Sequence, residues 1–148
     1  MAITQAICTS FKVELAQGTH NFTNGTGDTF KLALFRAQAS ISGTFGAGTT
    51  NYSDMGADEA SGTNYSAGGS ALTNVTPTSS GTTAYLDFAD LTFTNVTITA
   101  SGGLIYNSTD GNRAVCVLNF GGDKTKSAAD LVITFPAAAA DSFSTSAS

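Results

Sequence analysis

Charge is what this 148-residue chain has least of. Asp, Glu, Lys and Arg together supply 11% of it, against about a quarter in ordinary globular domains. Lys and Arg number 6 and Asp and Glu 11, for a net charge of -5. The six cations, Lys12, Lys31, Arg36, Arg113, Lys124 and Lys126, are scattered. A surface that tracks phosphates needs several on one face, so no direct nucleic-acid binding is expected. Tryptophan is absent and tyrosine occurs 4 times, which leaves little to stack on sugar rings. The single histidine, His20, cannot build a histidine-based metal site alone. As a general base it would need an oriented partner and a substrate pocket, and neither can be named, so it is read as a structural or surface residue. Cys8 and Cys116 match no metal-binding spacing. They are read as free thiols made in a reducing cytoplasm, with a disulfide left open. No apolar run approaches the roughly 18 residues of a membrane span, and Met1 to Cys8 lacks the basic-then-apolar pattern of a secretory signal. No membrane association is expected.

What remains is 41% hydrophobic residues among Ser, Thr, Asn and Gly, the composition of a β protein with many turns and neutral polar faces. A chain of this size can bury one core without metals or disulfides. Residues 1–136 read as one β-rich domain, and 137–148 as a flexible Ala/Ser-rich tail. Helical periodicity occurs once. Thr4 is placed to N-cap, Ile7, Phe11 and Leu15 follow at i, i+4 and i+8 with Cys8 on the same stripe, and Gln5, Lys12 and Glu14 are left to water. Gly18 is a C-terminal stop. The pattern predicts an amphipathic helix over Thr4–Ala16, lying on the main body.

Strand signals fill the rest. Phe30–Phe35 is nearly all apolar, as in a central strand covered on both faces. Arg36–Ala71 is rich in Gly, Ser, Thr and Ala and predicts long surface loops with short strands at most; loops of that length in a small domain are often functional. Leu72–Val75 reads as a short strand stopped by Pro77. Ala84, Leu86 and Phe88 alternate with polar neighbours. Leu91 and Phe93 share one parity, but Val96, Ile98 and Ala100 share the other, so a turn or bulge is expected near Thr94-Asn95. Leu104–Tyr106 and Val115–Leu118 flank Asp110-Gly111, a hairpin signal. Gly121–Asp130 reads as a polar loop, and Leu131–Phe135 as the last strand. Seven or so short strands predict an antiparallel β-sandwich or barrel with one helix packed on it. Phe30, Leu32, Leu34, Phe88, Val115, Val117 and Ile133 are the predicted core.

Chemistry is sparse. Asp54, Asp58 and Glu59 form the densest acidic group, but not at EF-hand spacing, and are read as solvated loop carboxylates. Asp87 and Asp90 suit turns at a strand end. Gly43-Thr-Phe-Gly46-Ala-Gly48 has the wrong order for a dinucleotide loop, and Gly121-Gly-Asp-Lys-Thr125 lacks phosphate-loop spacing. Seven Asn-x-Ser/Thr triplets begin at Asn21, Asn24, Asn51, Asn64, Asn74, Asn95 and Asn107, and follow from the abundance of those residues. No catalytic, cofactor-binding or metal-ligating residue is assigned, and no cofactor is expected.

The order of segments is informative in another way. Cys8-Thr-Ser-Phe-Lys-Val-Glu-Leu15 leads through Gly18-Thr-His-Asn-Phe22 to Asp28-Thr-Phe-Lys-Leu-Ala-Leu-Phe35. Then come Ser61-Gly-Thr-Asn-Tyr-Ser-Ala-Gly-Gly69, Tyr85-Leu-Asp-Phe-Ala-Asp-Leu-Thr-Phe93, and the pair Gly103-Leu-Ile-Tyr-Asn107 and Asn112-Arg-Ala-Val-Cys-Val-Leu-Asn-Phe-Gly121. Over roughly residues 6–135 this run resembles small virion structural proteins encoded among the morphogenesis genes of tailed bacteriophages. The resemblance implies a non-enzymatic virion protein, made in the bacterial cytoplasm. In the leading reading it is a capsid cement or decoration protein that bridges major capsid protein subunits as a homo-oligomer, with a trimer matching capsid threefold positions. A tail component (tube, adaptor or fibre base) is the alternative. A hydrolase or ligand-binding sandwich is the third class.

Overall fold

The computed structural model describes residues 2–135 and 146–147. In chain order the elements are β1 (Ala2–Ile3), β2 (Ala6–Ile7), α1 (Thr9–Ala16), β3 (Phe30–Phe35), β4 (Thr44–Phe45), β5 (Ser70–Ala71), β6 (Asn74–Ser80), β7 (Thr83–Phe88), β8 (Leu91–Asn107), β9 (Arg113–Thr134) and β10 (Ser146–Ala147). Two 3₁₀ segments, Gln38–Ser40 and Tyr52–Asp58, lie between β3 and β5. The main sheet has the order β10-β9-β8-β3-β5, with β2 also on β9, and its pairings are antiparallel. A parallel pair, β1–β4, and an antiparallel ribbon, β6–β7, complete a mainly β, sandwich-like arrangement.

β3 shows why its sequence is continuously apolar. Phe30, Leu32 and Leu34 alternate with Lys31, Ala33 and Phe35, so the two sets face opposite sides. On one side Phe22 stacks on Phe30 at 4.3 Å and Phe11 meets Phe22 edge-on at 5.9 Å. On the other, Phe35 meets Phe45 at 4.5 Å. The α1 side and the 36–71 segment therefore cover the two faces. All seven predicted core residues are buried.

The register of β8 carries its neighbours' parity. Asn95 adopts a φ of 51°, and the pairing with β9 shifts between Phe93 and Val96. Phe93 and then Val96, Ile98 and Ala100 are buried, so the parity change is a bulge, as expected. Asp110-Gly111 lies in the β8–β9 turn.

Several expectations need correction. The helix begins at Thr9, not Thr4. Thr4 N–H donates to Phe45 O at 2.9 Å, Ala6 and Ile7 pair with Val117 and Cys116 of β9, and Cys8 N–H donates to Val115 O at 2.9 Å. Sheet pairing has taken the residues that helical periodicity assigned to a first turn. The expected stripe is also rotated. Phe11 and Glu14 are buried, while Val13 and Leu15 are 55% and 42% exposed. Glu14 turns inward because His20 and Arg113 receive it. The stop at Gly18 holds: Gly18 has φ +78°, its N–H donates to Leu15 O, and Thr19 N–H donates to Glu14 O, the paired bonds of a Schellman motif.

Gly121–Asp130 is strand rather than loop. Lys124, Thr125 and Lys126 of β9 pair with Ala100, Thr99 and Ile98 of β8, and a long β8–β9 hairpin of 17- and 22-residue strands replaces several short ones. Pro77 does not stop its strand. β6 runs through it to Ser80, and the register shift between Val75 and Thr78 absorbs the missing donor. The 36–71 segment has short strands only, as expected, but it is not all surface: Ile41, Phe45, Met55 and Ala60 are buried. The tail reading for 137–148 falls outside the described residues except at Ser146 and Ala147, which pair with Thr134 and Ile133.

Candidate functional site

The 36–71 segment is held down by two neighbouring acids, Asp58 and Glu59. Asp58 ends the Tyr52–Asp58 3₁₀ segment and points inward. Its Oδ1 accepts from Arg36 Nη2 at 2.7 Å and Nε at 3.2 Å and from Ser42 N–H at 3.0 Å; its Oδ2 accepts from Gly43 N–H at 2.8 Å. Burial alone would raise its pKa. The Ser42 and Gly43 amides, the Arg36 guanidinium and the Ser42 hydroxyl together outweigh burial and hold it at about 2.

Glu59 faces a tyrosine cluster. Its Oε2 accepts from Tyr52 Oη at 2.6 Å, and its Oε1 from Tyr65 Oη at 2.7 Å and Gly68 N–H at 2.7 Å. Tyr65 Oη in turn accepts from Leu34 N–H in β3 at 2.9 Å, and Tyr106 Oη donates to Gly68 O at 2.6 Å. Tyr52 and Tyr106 stack at 4.7 Å. Burial, then the hydrogen bonds and charge of Glu59, push the Tyr52 and Tyr65 hydroxyls well above the usual phenol range; burial and the Glu59 charge raise Tyr106 to about 12. Gly69 is required beside this cluster, because a Cβ there would run into the Leu32 carbonyl of β3.

Asp54, the third acid of the group, stays exposed and closes a capping box with Asn51. Its Oδ2 accepts from Thr50 and Asn51 N–H, and Asn51 Oδ1 accepts from Ser53 N–H. The solvated-carboxylate reading therefore holds for Asp54 alone. Asp58 and Glu59 were drawn inward by backbone donors and hydroxyls that local composition does not reveal. Among the described residues no three His, Cys, Asp or Glu side chains converge as a metal set.

His20 is buried, as a structural residue. Its Nε2 meets Glu14 Oε2 at 2.8 Å and its Nδ1 meets Asn107 Nδ2 at 3.0 Å. Glu14 Oε1 also accepts from Arg113 Nη1 at 3.2 Å. Cys8 and Cys116 are buried free thiols. Burial, with Glu14 and Asp54 nearby, raises Cys8 to about 12, and burial raises Cys116 further, so neither is a nucleophile at neutral pH. Asp87 accepts from Phe88 N–H and Asp90 from Phe135 N–H, the strand-end duty expected. Gly43 serves the Asp58 network, and Gly121-Gly122 sits where the β8–β9 register shifts.

The asparagines, read from sequence as mere composition, hold turns. Asn64 and Asn95 adopt positive φ and are joined by Asn64 Nδ2 donating to Asn95 O at 2.8 Å. Asn74 and Asn107 are buried. A cleft of about 250 Å³ lies between the Asn24–Thr29 turn and Leu72–Asn74. The one carboxylate lining it, Asp28, already accepts from Asn21 N–H and Asn107 Nδ2 through Oδ2.

No family model, curated protein or solved structure matches this chain. Its own geometry and composition must carry the functional reading. Asp58 and Glu59 fasten the 36–71 segment, Asp58 to Arg36 and Glu59 through Tyr65 to β3.

Proposed function

We propose that this chain is a non-enzymatic structural protein of a tailed-phage virion, a cement protein that bridges major capsid protein subunits and works as a homo-oligomer. The observation that carries the reading is the use made of Asp58 and Glu59. In an enzyme or ion-binding module such acids would face a cleft; here their oxygens receive Arg36, Ser42, Gly43, Tyr52, Tyr65 and Gly68. The result is a 36–71 segment pinned as a firm, mostly uncharged surface. Such a surface suits close packing, since few charges must be desolvated on docking. Many copies bound together need only modest affinity each. The sequence pattern over residues 6–135 supports a virion protein, and a trimer suits the threefold positions of a capsid.

The test is particle stability. Particles lacking the protein should lose resistance to heat or osmotic shock while their tails stay intact. Robust heads with failed adsorption or DNA delivery would replace the capsid reading with the tail one, and hydrolysis of a cell-wall substrate by the purified chain would sink both.

A further inference from the structure

The β6–β7 ribbon stands apart from the main sheet. Its residues from Val75 to Ala84 are all exposed, and among the described residues each of its strands pairs only with the other. A two-stranded ribbon is at best marginal by itself. Exposed edges are normally guarded by charge, proline or a covering segment. The β6 edge has such guards: Pro77 lacks an N–H, Asn24 N–H donates to Thr76 Oγ1 at 3.0 Å, and Asn24 Nδ2 donates to Asn74 O at 2.6 Å. Along β7 the one charge is Asp87, half-buried toward its end; Thr83 to Leu86 carry no charge or proline. From Asn74 to Leu86 the sequence carries no charge at all.

The hydrogen-bond pattern of that edge follows from the turn. Ser80 pairs with Thr83 across Gly81-Thr82, Ser79 with Ala84, and Thr78 with Tyr85. Residues closing a two-residue turn exchange their hydrogen bonds, and alternate pairs do the same. Thr83 and Tyr85 therefore spend their backbone groups on β6, whereas Ala84 and Leu86 turn theirs outward.

We infer that β7 pairs antiparallel with β7 of a second copy of this chain, about a two-fold axis through Tyr85. In that register Ala84 lies opposite the partner's Leu86, and Leu86 opposite the partner's Ala84, so every outward donor meets an outward acceptor. Tyr85 faces the same residue of the partner in a non-hydrogen-bonded pair, where side chains come closest. A second copy fits better than a foreign strand because the edge is self-complementary under the two-fold and the neutral side chains of Thr83 to Leu86 offer a charged strand no counter-charge. The inference goes beyond the proposed function and does not depend on it. On a capsid it would add a two-fold link between copies seated at neighbouring positions.

The experiment uses the full chain. Tyr85→Cys under mild oxidation should give a disulfide-linked dimer, since directly opposed non-hydrogen-bonded residues come within disulfide reach. The parent should not cross-link, because Cys8 and Cys116 are buried. Ser79→Cys, more exposed than Tyr85 but on the guarded strand, should nonetheless cross-link at least about ten-fold more slowly. Adding Ala84→Pro to Tyr85→Cys removes an outward donor at an edge position that tolerates proline and should abolish the fast cross-link, with circular dichroism confirming the fold. Equal rates at Tyr85→Cys and Ser79→Cys, or no cross-link from folded Tyr85→Cys, would overturn the pairing. So would a fast cross-link that survives Ala84→Pro. None of these results touches the particle-stability test.

Discussion

Arg36 places two N–H groups on a single carboxylate oxygen of Asp58, Nη2 at 2.7 Å and Nε at 3.2 Å, across 22 residues of sequence. The same carboxylate takes two backbone amides, so one side chain closes the loop that follows β3.

Asp58→Ala should lower stability by about 3 kcal/mol, the cost of breaking a buried, hydrogen-bonded charge pair. The pH dependence follows from the direction of the shift. The folded-state pKa, about 2, lies below the ordinary 3.8, so the unfolded chain binds the proton more readily. Its contribution is complete above pH ~4 and is lost as pH falls toward 2. Urea titrations between pH 5 and 2 should show this slope in the parent and a flatter one in Asp58→Asn. Equal slopes would mean that Asp58 is not the acid that matters there.

The tyrosine cluster makes a prediction at the other end of the pH scale. Tyr52, Tyr65 and Tyr106 all have raised pKa values, so the folded chain keeps these protons after an unfolded chain would release them. The stability they confer is complete below pH ~10 and falls as pH rises beyond it. A 295 nm titration of native protein should show three of the four tyrosines silent through pH 11, ionising only as the chain unfolds. Ionisation of more than one tyrosine by pH 11, with the fold intact, would contradict the Glu59 network.

Cys8 and Cys116 should behave as inert thiols. Both are buried, with pKa values raised by that burial. A thiol reagent at pH 8 should label them at least about 100-fold more slowly in native protein than in denaturant, because the thiolate is the reactive form. Stoichiometric labelling within minutes under native conditions would show that the α1–β9 contact opens freely.

What could be read from the sequence was what periodicity records. The covered strand at Phe30–Phe35, the parity change at Asn95 and the Asp110-Gly111 turn each follow from short-range pattern. The helix start failed because sheet pairing to β9, more than 100 residues away, claimed Ala6 and Ile7. Gly121–Asp130 failed because a strand with polar side chains lacks the apolar alternation that marks strands. The inward turn of Asp58 and Glu59 depends on donors such as Arg36 and Leu34 N–H, the latter acting through Tyr65, and no local motif places those donors nearby.

The central strand gives a direct test of the core. Leu34 is fully buried in β3 and its amide is tied to Tyr65. Leu34→Ala should cost about 2–5 kcal/mol, the range for truncating a buried leucine in a packed core. An unchanged denaturation midpoint would mean that β3 is not covered on that face.

His20 and Asn107 fix one another's protons. Asn107 Oδ1 accepts from Thr109 N–H at 3.0 Å and Asp110 N–H at 3.2 Å, which commits the amide oxygen to the β8–β9 turn. Its Nδ2 must then face the other way, donating to Asp28 Oδ2 at 2.7 Å and to His20 Nδ1 at 3.0 Å. A nitrogen that accepts carries no proton, so neutral His20 holds its proton on Nε2 and donates it to Glu14 Oε2 at 2.8 Å. Nitrogen-15 NMR of the neutral imidazole should show the Nε2–H tautomer, with Nδ1 unprotonated. His20→Ala should lower stability by about 1–3 kcal/mol, because it strands the buried Asn107 amide donor and removes a ring packed on Phe11 and Phe22. A neutral Nδ1–H tautomer would require the Asn107 amide to be reversed, and would remove the bonds that hold Thr109 and Asp110 in the turn.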